Sequence, residues 1–139
     1  DDLLMLCFSK DKKIREQIYN NLNIEWMKSD QSKRIYEQIY IHLNSEFEPD
    51  PTIILDQLEL KEDHHKLASL TFEVDRIAPS ISMAQNCIQR LEHLFLKKKL
   101  EKYREMLKDA EKSFKDNSEL ITRITEIQYK MNSIKGAQS

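Results

Sequence analysis

Residues 96–134 read LKKKLEKYREMLKDAEKSFKDNSELITRITEIQYKMNSI, and two apolar seams run through this stretch. The first seam, spaced 4, 3, 4, 3, 4, consists of Leu96, Leu100, Tyr103, Leu107, Ala110 and Phe114. The second, spaced 4, 3, 4, 3, consists of Leu120, Ile124, Ile127, Met131 and Ile134. Alternating steps of three and four residues keep one face of an α-helix apolar. The stretch therefore predicts two amphipathic helices separated by a polar turn at residues 115–118.

The two seams also predict how these helices meet. Because the turn is short, the second helix should fold back antiparallel on the first, as in a helical hairpin. Aligning the seams over five layers gives a definite register. The expected pairs are Phe114 with Leu120, Ala110 with Ile124, Leu107 with Ile127, Tyr103 with Met131, and Leu100 with Ile134.

The first of these helices should begin far upstream. Ser80 or Ser82 can open it, and no helix breaker follows until about residue 115. An earlier seam on the same helix consists of Ala84, Cys87, Leu91 and Leu94. The step from Leu94 to Leu96 rotates by about 200° around a helix of 3.6 residues per turn. The buried face should therefore change sides near residues 97–99, which are all lysine.

The N-terminal part reads as a series of short helices. Asp11, Asp30 and Asp50 are predicted N-caps, and Pro51 suits the first helical position after Asp50. The side chains expected to face a core include Ile53, Ile54, Leu58, Leu67, Leu70, Phe72 and Val74, together with Tyr19, Tyr36 and Tyr40. The predicted fold is all-α: a small N-terminal helical bundle at residues 1–96 joined by a long helix to a C-terminal antiparallel helical hairpin at residues 97–139.

Composition narrows the class of protein. The 139 residues include one glycine, so we expect neither a β-sandwich nor a glycine-rich phosphate loop. Residues 1–96 carry 11 Lys/Arg and 17 Asp/Glu, a net charge of −6, whereas residues 97–139 carry 11 and 7, a net charge of +4. The uneven charge predicts different surroundings for the two parts.

Cellular context can be predicted from the same composition. The sequence contains no run of 18 apolar residues, so no membrane span is predicted. The acidic start DDLLMLCF does not resemble a signal peptide. The start without Met indicates a fragment of a longer protein. Cys7 and Cys87 are expected to be reduced and buried, which favours the cytoplasm.

The residues that could carry chemistry have simpler interpretations. His64 and His65 are adjacent, so on a helix they point about 100° apart and should not share a metal ion. The lysines at residues 97–99 spread around the helix and form no flat phosphate-binding stripe, so direct nucleic-acid binding is not expected. We expect a non-catalytic domain with no metal and no cofactor.

Several apolar residues lie off the hairpin seam, including Met106, Ile121 and Tyr129, with Phe95 near the junction. Exposed apolar groups among basic residues indicate a docking surface. The predicted partner-binding residues are Ile121, Arg123, Tyr129, Lys130, Met131, Ile134 and Lys135. The alternative is that the hairpin folds back on the bundle and hides these apolar groups.

The chain resembles a known family along essentially its whole length. The opening Leu3-Leu4-Met5-Leu6 is similar to a leucine-rich first helix in that family. Three further motifs follow in the order expected for that family: IEWM at residues 24–27, SKRIYEQI at 32–39 and CIQRL at 87–91. Together they resemble the C-terminal, helicase-binding domain of bacterial DnaG-type DNA primases. Trp26 departs from the pattern, since phenylalanine is commoner at that place in the family.

The resemblance implies a function. It implies a bundle subdomain similar to the N-terminal domain of the replicative helicase, followed by a hairpin subdomain that is the main anchor. The implied partner is the N-terminal domain of the DnaB-type hexameric helicase. Docking would recruit primase to the replication fork for primer synthesis and modulate the helicase. Primer synthesis itself, by the DNA-directed RNA polymerase activity of a primase within the primosome, would belong to upstream domains that this chain lacks.

Two other classes remain open from the residues alone. One is a helical nucleic-acid-binding domain. An affinity for single-stranded DNA that falls steeply with added salt would support it. The other is a hairpin that forms homo-oligomers through its off-seam residues. We expect a monomer when the fragment is alone, and light scattering at several concentrations distinguishes these states.

Overall fold

The structure, a computed structural model, describes residues 2–112 and 117–138, without the side chains of residues 75, 112 and 135–138. Over this part of the chain it is all-α, which confirms the predicted class. The helices are α1 (Asp2–Leu6), α2 (Lys12–Asn21), α3 (Asp30–Leu43), α4 (Pro51–Gln57), α5 (Lys61–Glu73), α6 (Ile81–Lys112) and α7 (Ser118–Gln138), with 3-10 turns at Ile24–Trp26 and Val74–Arg76.

The chain divides into two compact units, Asp1–Ile88 (unit 1) and Gln89–Ser139 (unit 2). The sequence pattern predicts this boundary after residue 96. The structure places Leu96 in an apolar cluster with Leu100 and Ile127, all of them in unit 2. The start of unit 2 therefore lies within α6, upstream of the lysines at residues 97–99.

The core of unit 1 is built around α1. Leu3, Leu4, Met5 and Leu6 are all buried, and Cys7 and Phe8 continue the buried run. A helix that is apolar on all sides has to be surrounded by other elements. Helix α5 packs against α1 and contributes the buried Leu67 and Leu70, and α3, which packs on α5, contributes the buried Ile35, Ile39 and Leu43. Burial raises the pKa of the Cys7 thiol to about 12, so this cysteine stays protonated at neutral pH.

Side-chain caps define where the helices of unit 1 begin. The carboxylates of Asp11 and Asp50 each accept a 2.9 Å hydrogen bond from a backbone N–H two residues on, as predicted. The predicted cap Asp30 is wrong. The Ser29 hydroxyl accepts from the Ser32 N–H at 3.1 Å, and Asp30 is the first helical residue. A carboxylate there still interacts favourably with the positive end of the helix dipole.

Three residues expected in the core are exposed. The exposed fractions are 48% for Ile53, 86% for Phe72 and 43% for Tyr40. The neighbouring residues explain why Ile53 and Phe72 are exposed rather than buried. Ile54 and Leu58 already occupy the inward face of the α4 segment, and Leu67 and Leu70 that of α5. At 100° per residue, Ile53 lies about 100° from Ile54 around α4 and Phe72 lies about 160° from Leu70 around α5, so both point away from the core.

A buried arginine holds the end of α3. Arg15 of α2 is fully buried, and its guanidinium donates to three backbone carbonyls after α3, those of Ser45, Glu46 and Phe47. The last carbonyls of a helix and those just after it have no intrahelical donor. Arg15 supplies donors to these carbonyls, which joins α2 to the loop after α3.

Helix α6 begins as predicted, since the Ser80 hydroxyl accepts from the Met83 N–H at 3.0 Å. Its most buried early residues are Ala84 and Ile88, while Cys87, Leu91 and Leu94 are half-buried. Further along, Leu96 and Leu100 are buried. Ala84 and Ile88 belong to unit 1, whereas Leu96 and Leu100 belong to the apolar cluster of unit 2.

The α6–α7 pair, defined as residues 89–112 of α6 with α7, buries Leu96, Leu100 and Ile127 of the two predicted seams and half-buries the other described seam residues, but in another register. Phe114 lies outside the described residues. Ile127 clusters with Leu96 and Leu100 rather than with Leu107, and Ile124, Met131 and Ile134 pack against the same cluster. Arg123 donates to the Tyr103 hydroxyl at 3.2 Å, which places Tyr103 beside Arg123 rather than Met131. The observed pairing is antiparallel and displaced from the predicted one by about one heptad.

Candidate interaction surfaces

The predicted partner-binding residues lie on α7, and the structure assigns them different surroundings. Met131 and Ile134 are half-buried against Leu96, Leu100 and Ile127. These two residues therefore stabilise the α6–α7 pair itself. Only the part of their surface that remains accessible can meet a partner. The side chain of Lys135 lies outside the described residues.

Arg123 is already engaged within the pair. Its guanidinium donates to the Tyr103 hydroxyl at 3.2 Å and to the Glu119 carboxylate at 2.8 Å. It also stands over the Tyr103 ring, 5.8 Å from the ring centre. The hydrogen bond to Tyr103 and the contact with Glu119 raise the pKa of Arg123 above its ordinary value. Arg123 thus links the two helices while half of its side chain stays exposed.

A mixed-charge groove runs along this side of the α6–α7 pair. It has a volume of about 380 Å³, and Arg123 and Lys130 line it together with Lys99, Tyr103, Glu119 and Glu126. Arg123 and Lys130 are seven residues apart, so they share one side of α7. The structure therefore brings these two predicted residues together. Lys99 contributes a third cation, with its ammonium 5.8 Å from the centre of the Phe95 ring.

Ile121 and Tyr129 are the exposed apolar members of the predicted set. Their exposed fractions are 48% and 74%, values unusual for an isoleucine and a tyrosine. Eight helical positions place them about 80° apart around α7. Met106 of α6 is 43% exposed as well. The predicted residues therefore surround α7 instead of forming one flat patch.

A second surface, in unit 1, was not predicted. An aromatic groove of about 570 Å³ lies where α2, the 3-10 turn and α3 meet, and its lining includes Asn20, Trp26, Tyr36, Glu37 and Tyr40. The Tyr19 and Tyr40 rings stack with centres 4.8 Å apart and planes 9° from parallel. Helical spacing predicts that Tyr19, Tyr36 and Tyr40 all lie in the core. Only Tyr36 is buried, Tyr19 is half-buried and Tyr40 is exposed.

The polar groups near α5 have structural roles. Both carboxylate oxygens of the buried Asp63 accept from Arg34, at 2.8 and 2.9 Å. These hydrogen bonds hold the pKa of Asp63 below its usual range. His64 Nε2 lies 2.6 Å from the carbonyl of Leu58. Among the described residues, no three His, Cys, Asp or Glu side chains converge as metal ligands would.

None of the helices in the described part of the chain is long and apolar enough to cross a membrane. No protein-family model, curated protein or solved structure matches the chain.

Proposed function

We propose that the chain is a non-catalytic protein-interaction domain of a bacterial DnaG-type primase, and that it docks on the N-terminal domain of the hexameric replicative helicase. The order of its sequence motifs resembles the order found in that family. In this proposal the helicase recruits primase to the fork through the chain, which in turn modulates the helicase. Alone, the fragment is a monomer in the cytoplasm.

The observation that carries the proposal is the outer surface of α7. Ile121 and Tyr129 expose apolar area on α7, the helix that also carries the exposed Arg123 and Lys130 on other sides. Aromatic and aliphatic anchors surrounded by basic residues are the composition of a protein-binding helix. A helix whose inner face is used by one neighbour can present its outer face to the groove of another.

Charge supports the same choice of surface. Residues 97–139 carry a net charge of +4, while residues 1–96 carry −6. The basic part suits an acidic face on the helicase, and complementary charge mainly accelerates association and orients the partners. The lysines at residues 97–99 are exposed and contribute to this field.

The proposal is tested with the double variant Ile121→Asp plus Tyr129→Ala. Removing two exposed anchors should weaken binding to the helicase N-terminal domain at least about tenfold, the equivalent of about 1.4 kcal/mol. Isothermal titration calorimetry measures the affinity. Circular dichroism should stay native, because neither side chain is buried in the α6–α7 pair.

A matched control uses the same side-chain types in unit 1. Ile41 is 68% exposed and Phe72 is 86% exposed, so Ile41→Asp plus Phe72→Ala removes an isoleucine and an aromatic ring without entering the core. This variant should bind the helicase domain like the parent chain. If the α7 variant retained full affinity, Ile121 and Tyr129 would not be contact residues. If the parent chain did not bind at all, the proposed partner would be wrong.

A further inference from the structure

The aromatic groove of unit 1 combines flat rings with a free carboxylate. Tyr40 is 43% exposed and stacks on Tyr19, and Trp26 is half-buried on the neighbouring 3-10 turn. Glu37 is exposed one helical position from Tyr36 and three from Tyr40, and all of these except Tyr19 line the groove. The groove thus offers both an apolar stacking surface and a negative charge.

Two polar groups of the groove are available to a ligand. Within the described part of the chain, the Glu37 carboxylate has no ion pair and the Asn20 amide makes no hydrogen bond. None of the described lining residues is basic. An exposed carboxylate beside aromatic faces, with no internal cation, attracts a cation from outside.

Of the common cationic groups, the guanidinium fits this combination best. It is planar, so it stacks on a tyrosine or tryptophan ring, and it binds a carboxylate with two parallel N–H groups. Its remaining N–H groups can donate to the amide oxygen of Asn20. The ammonium of lysine is compact and strongly hydrated, and it cannot stack in this way. A phosphate group would be repelled by Glu37.

We propose that the aromatic groove binds an arginine side chain presented by a basic segment of a partner protein. Charge complementarity supports this occupant, since residues 1–96, which contain the whole groove, carry a net charge of −6. The inference is independent of the proposed helicase docking, which uses α7. It assigns unit 1 a binding site of its own.

Trp26 makes the proposal measurable, because it is the one tryptophan of the chain and lines the groove. The probe is a blocked pentapeptide with arginine between glycines, titrated while the fluorescence of Trp26 is followed. The matched control peptide carries citrulline, which keeps the shape but lacks the positive charge. We expect saturable binding of the arginine peptide, about tenfold or more tighter than the citrulline peptide. A lysine peptide should lie between them.

Variants of the chain complete the test. Glu37→Gln should abolish the preference for arginine over citrulline, and Tyr40→Leu should weaken arginine binding about threefold by removing the ring face. Glu25→Gln changes the same charge at an exposed position that does not line the groove, so it should behave like the parent. Circular dichroism checks that each variant is folded.

The proposal is overturned by any of three results. The arginine peptide does not saturate the Trp26 signal, or the citrulline peptide binds equally well, or Glu37→Gln keeps the preference for arginine. A response to free single-stranded DNA that exceeds the response to the arginine peptide would also overturn it, because a groove that prefers phosphate cannot depend on Glu37. Failure of the helicase titration above would leave this site untouched.

Discussion

At the residue scale, the polar side chains buried in unit 1 serve structure rather than chemistry. Arg15 and Asp63 are both shielded from water, and each is matched by partners: three carbonyls for Arg15 and the Arg34 guanidinium for Asp63. A buried charge without such partners would cost several kcal/mol. Each pair links elements that are distant in sequence, so each should be sensitive to substitution.

Replacing Arg15 should destabilise unit 1 strongly. Arg15→Met keeps the aliphatic stem but removes the donors to the carbonyls of Ser45, Glu46 and Phe47. Losing these three hydrogen bonds, at about 1 kcal/mol each, should lower the free energy of unfolding by about 3 kcal/mol. Urea denaturation measures the change, with Lys13→Met at an exposed position of the same helix as the control. A loss below about 1 kcal/mol would show that water replaces the guanidinium.

The Asp63 carboxylate should make stability depend on acid pH. Hydrogen bonds from Arg34 lower the pKa of folded Asp63 below its ordinary value of 3.8. At a pH between the pKa values of Asp63 in the folded and the unfolded chain, the carboxylate is protonated in the unfolded chain only. The stabilisation is therefore complete above about pH 3.8, and it is lost as the pH falls through the lower pKa of the folded chain. Asp63→Asn should therefore lower the Tm by several degrees at pH 7.

The pH dependence of the Tm distinguishes the charge of the Asp63 carboxylate from the packing of its side chain as the source of stability. The difference in Tm between the parent and Asp63→Asn should shrink as the pH falls below 3.8. Glu62→Gln is the control, because Glu62 contacts Arg34 at 3.1 Å but is exposed, and exposed ion pairs contribute little. A Tm difference that stays constant down to pH 2 would assign the effect to packing instead of charge.

At the scale of the element, the α6–α7 pair illustrates what a heptad pattern can determine. Steps of three and four residues specify which face of each helix is apolar, and the described residues of those faces are buried or half-buried. The same steps repeat every seven residues. A slip of one heptad keeps every apolar face in contact, so periodicity alone cannot choose between registers.

The register can be tested by cross-linking. With cysteines at positions 100 and 127, an intramolecular disulfide should form under mild oxidation, because Leu100 and Ile127 share one cluster. With cysteines at 107 and 127 it should not form, because seven residues along α6 correspond to about 10 Å. Peptide mass mapping identifies the linked pairs and separates them from Cys7 and Cys87. Preferential linkage of 107 with 127 would restore the register predicted from the sequence.

At the scale of the whole molecule, charge is divided along the chain. The first 96 residues are acidic and the last 43 are basic, although the net charge of the chain is only −2. Opposite signs in two parts of one chain favour different partners for each part. Docking by α7 on an acidic partner and binding of an arginine by the unit 1 groove are both consistent with this division.

The charge of the basic part should control the rate of helicase docking. Raising the salt concentration from 50 to 500 mM should slow association about tenfold while changing dissociation much less, since long-range attraction is screened. Stopped-flow mixing with the helicase N-terminal domain measures both rates. Replacing the exposed lysines at 97 and 98 with glutamine should reduce the salt dependence. Association that is independent of salt would exclude steering by this segment.

The sequence by itself determined the helical class, the caps at Asp11, Asp50 and Ser80, and the two apolar faces of the α6–α7 pair, because these depend on neighbours within a few residues. It also singled out Ile121 and Tyr129 as apolar side chains off the seam, and both are exposed. Local spacing is sufficient for such features.

Only the tertiary structure decided the heptad register, the exposure of Phe72 and Tyr40, and the aromatic groove. The spacing of the tyrosines is compatible with a core and with the wall of a groove. The residues around Glu37 in the sequence do not predict that Glu37 and Trp26 line the same groove. These features depend on which side chains from distant parts of the chain occupy the same space. Hydrophobic burial is not directional, so the apolar pattern specifies that a face is covered but not by which residues.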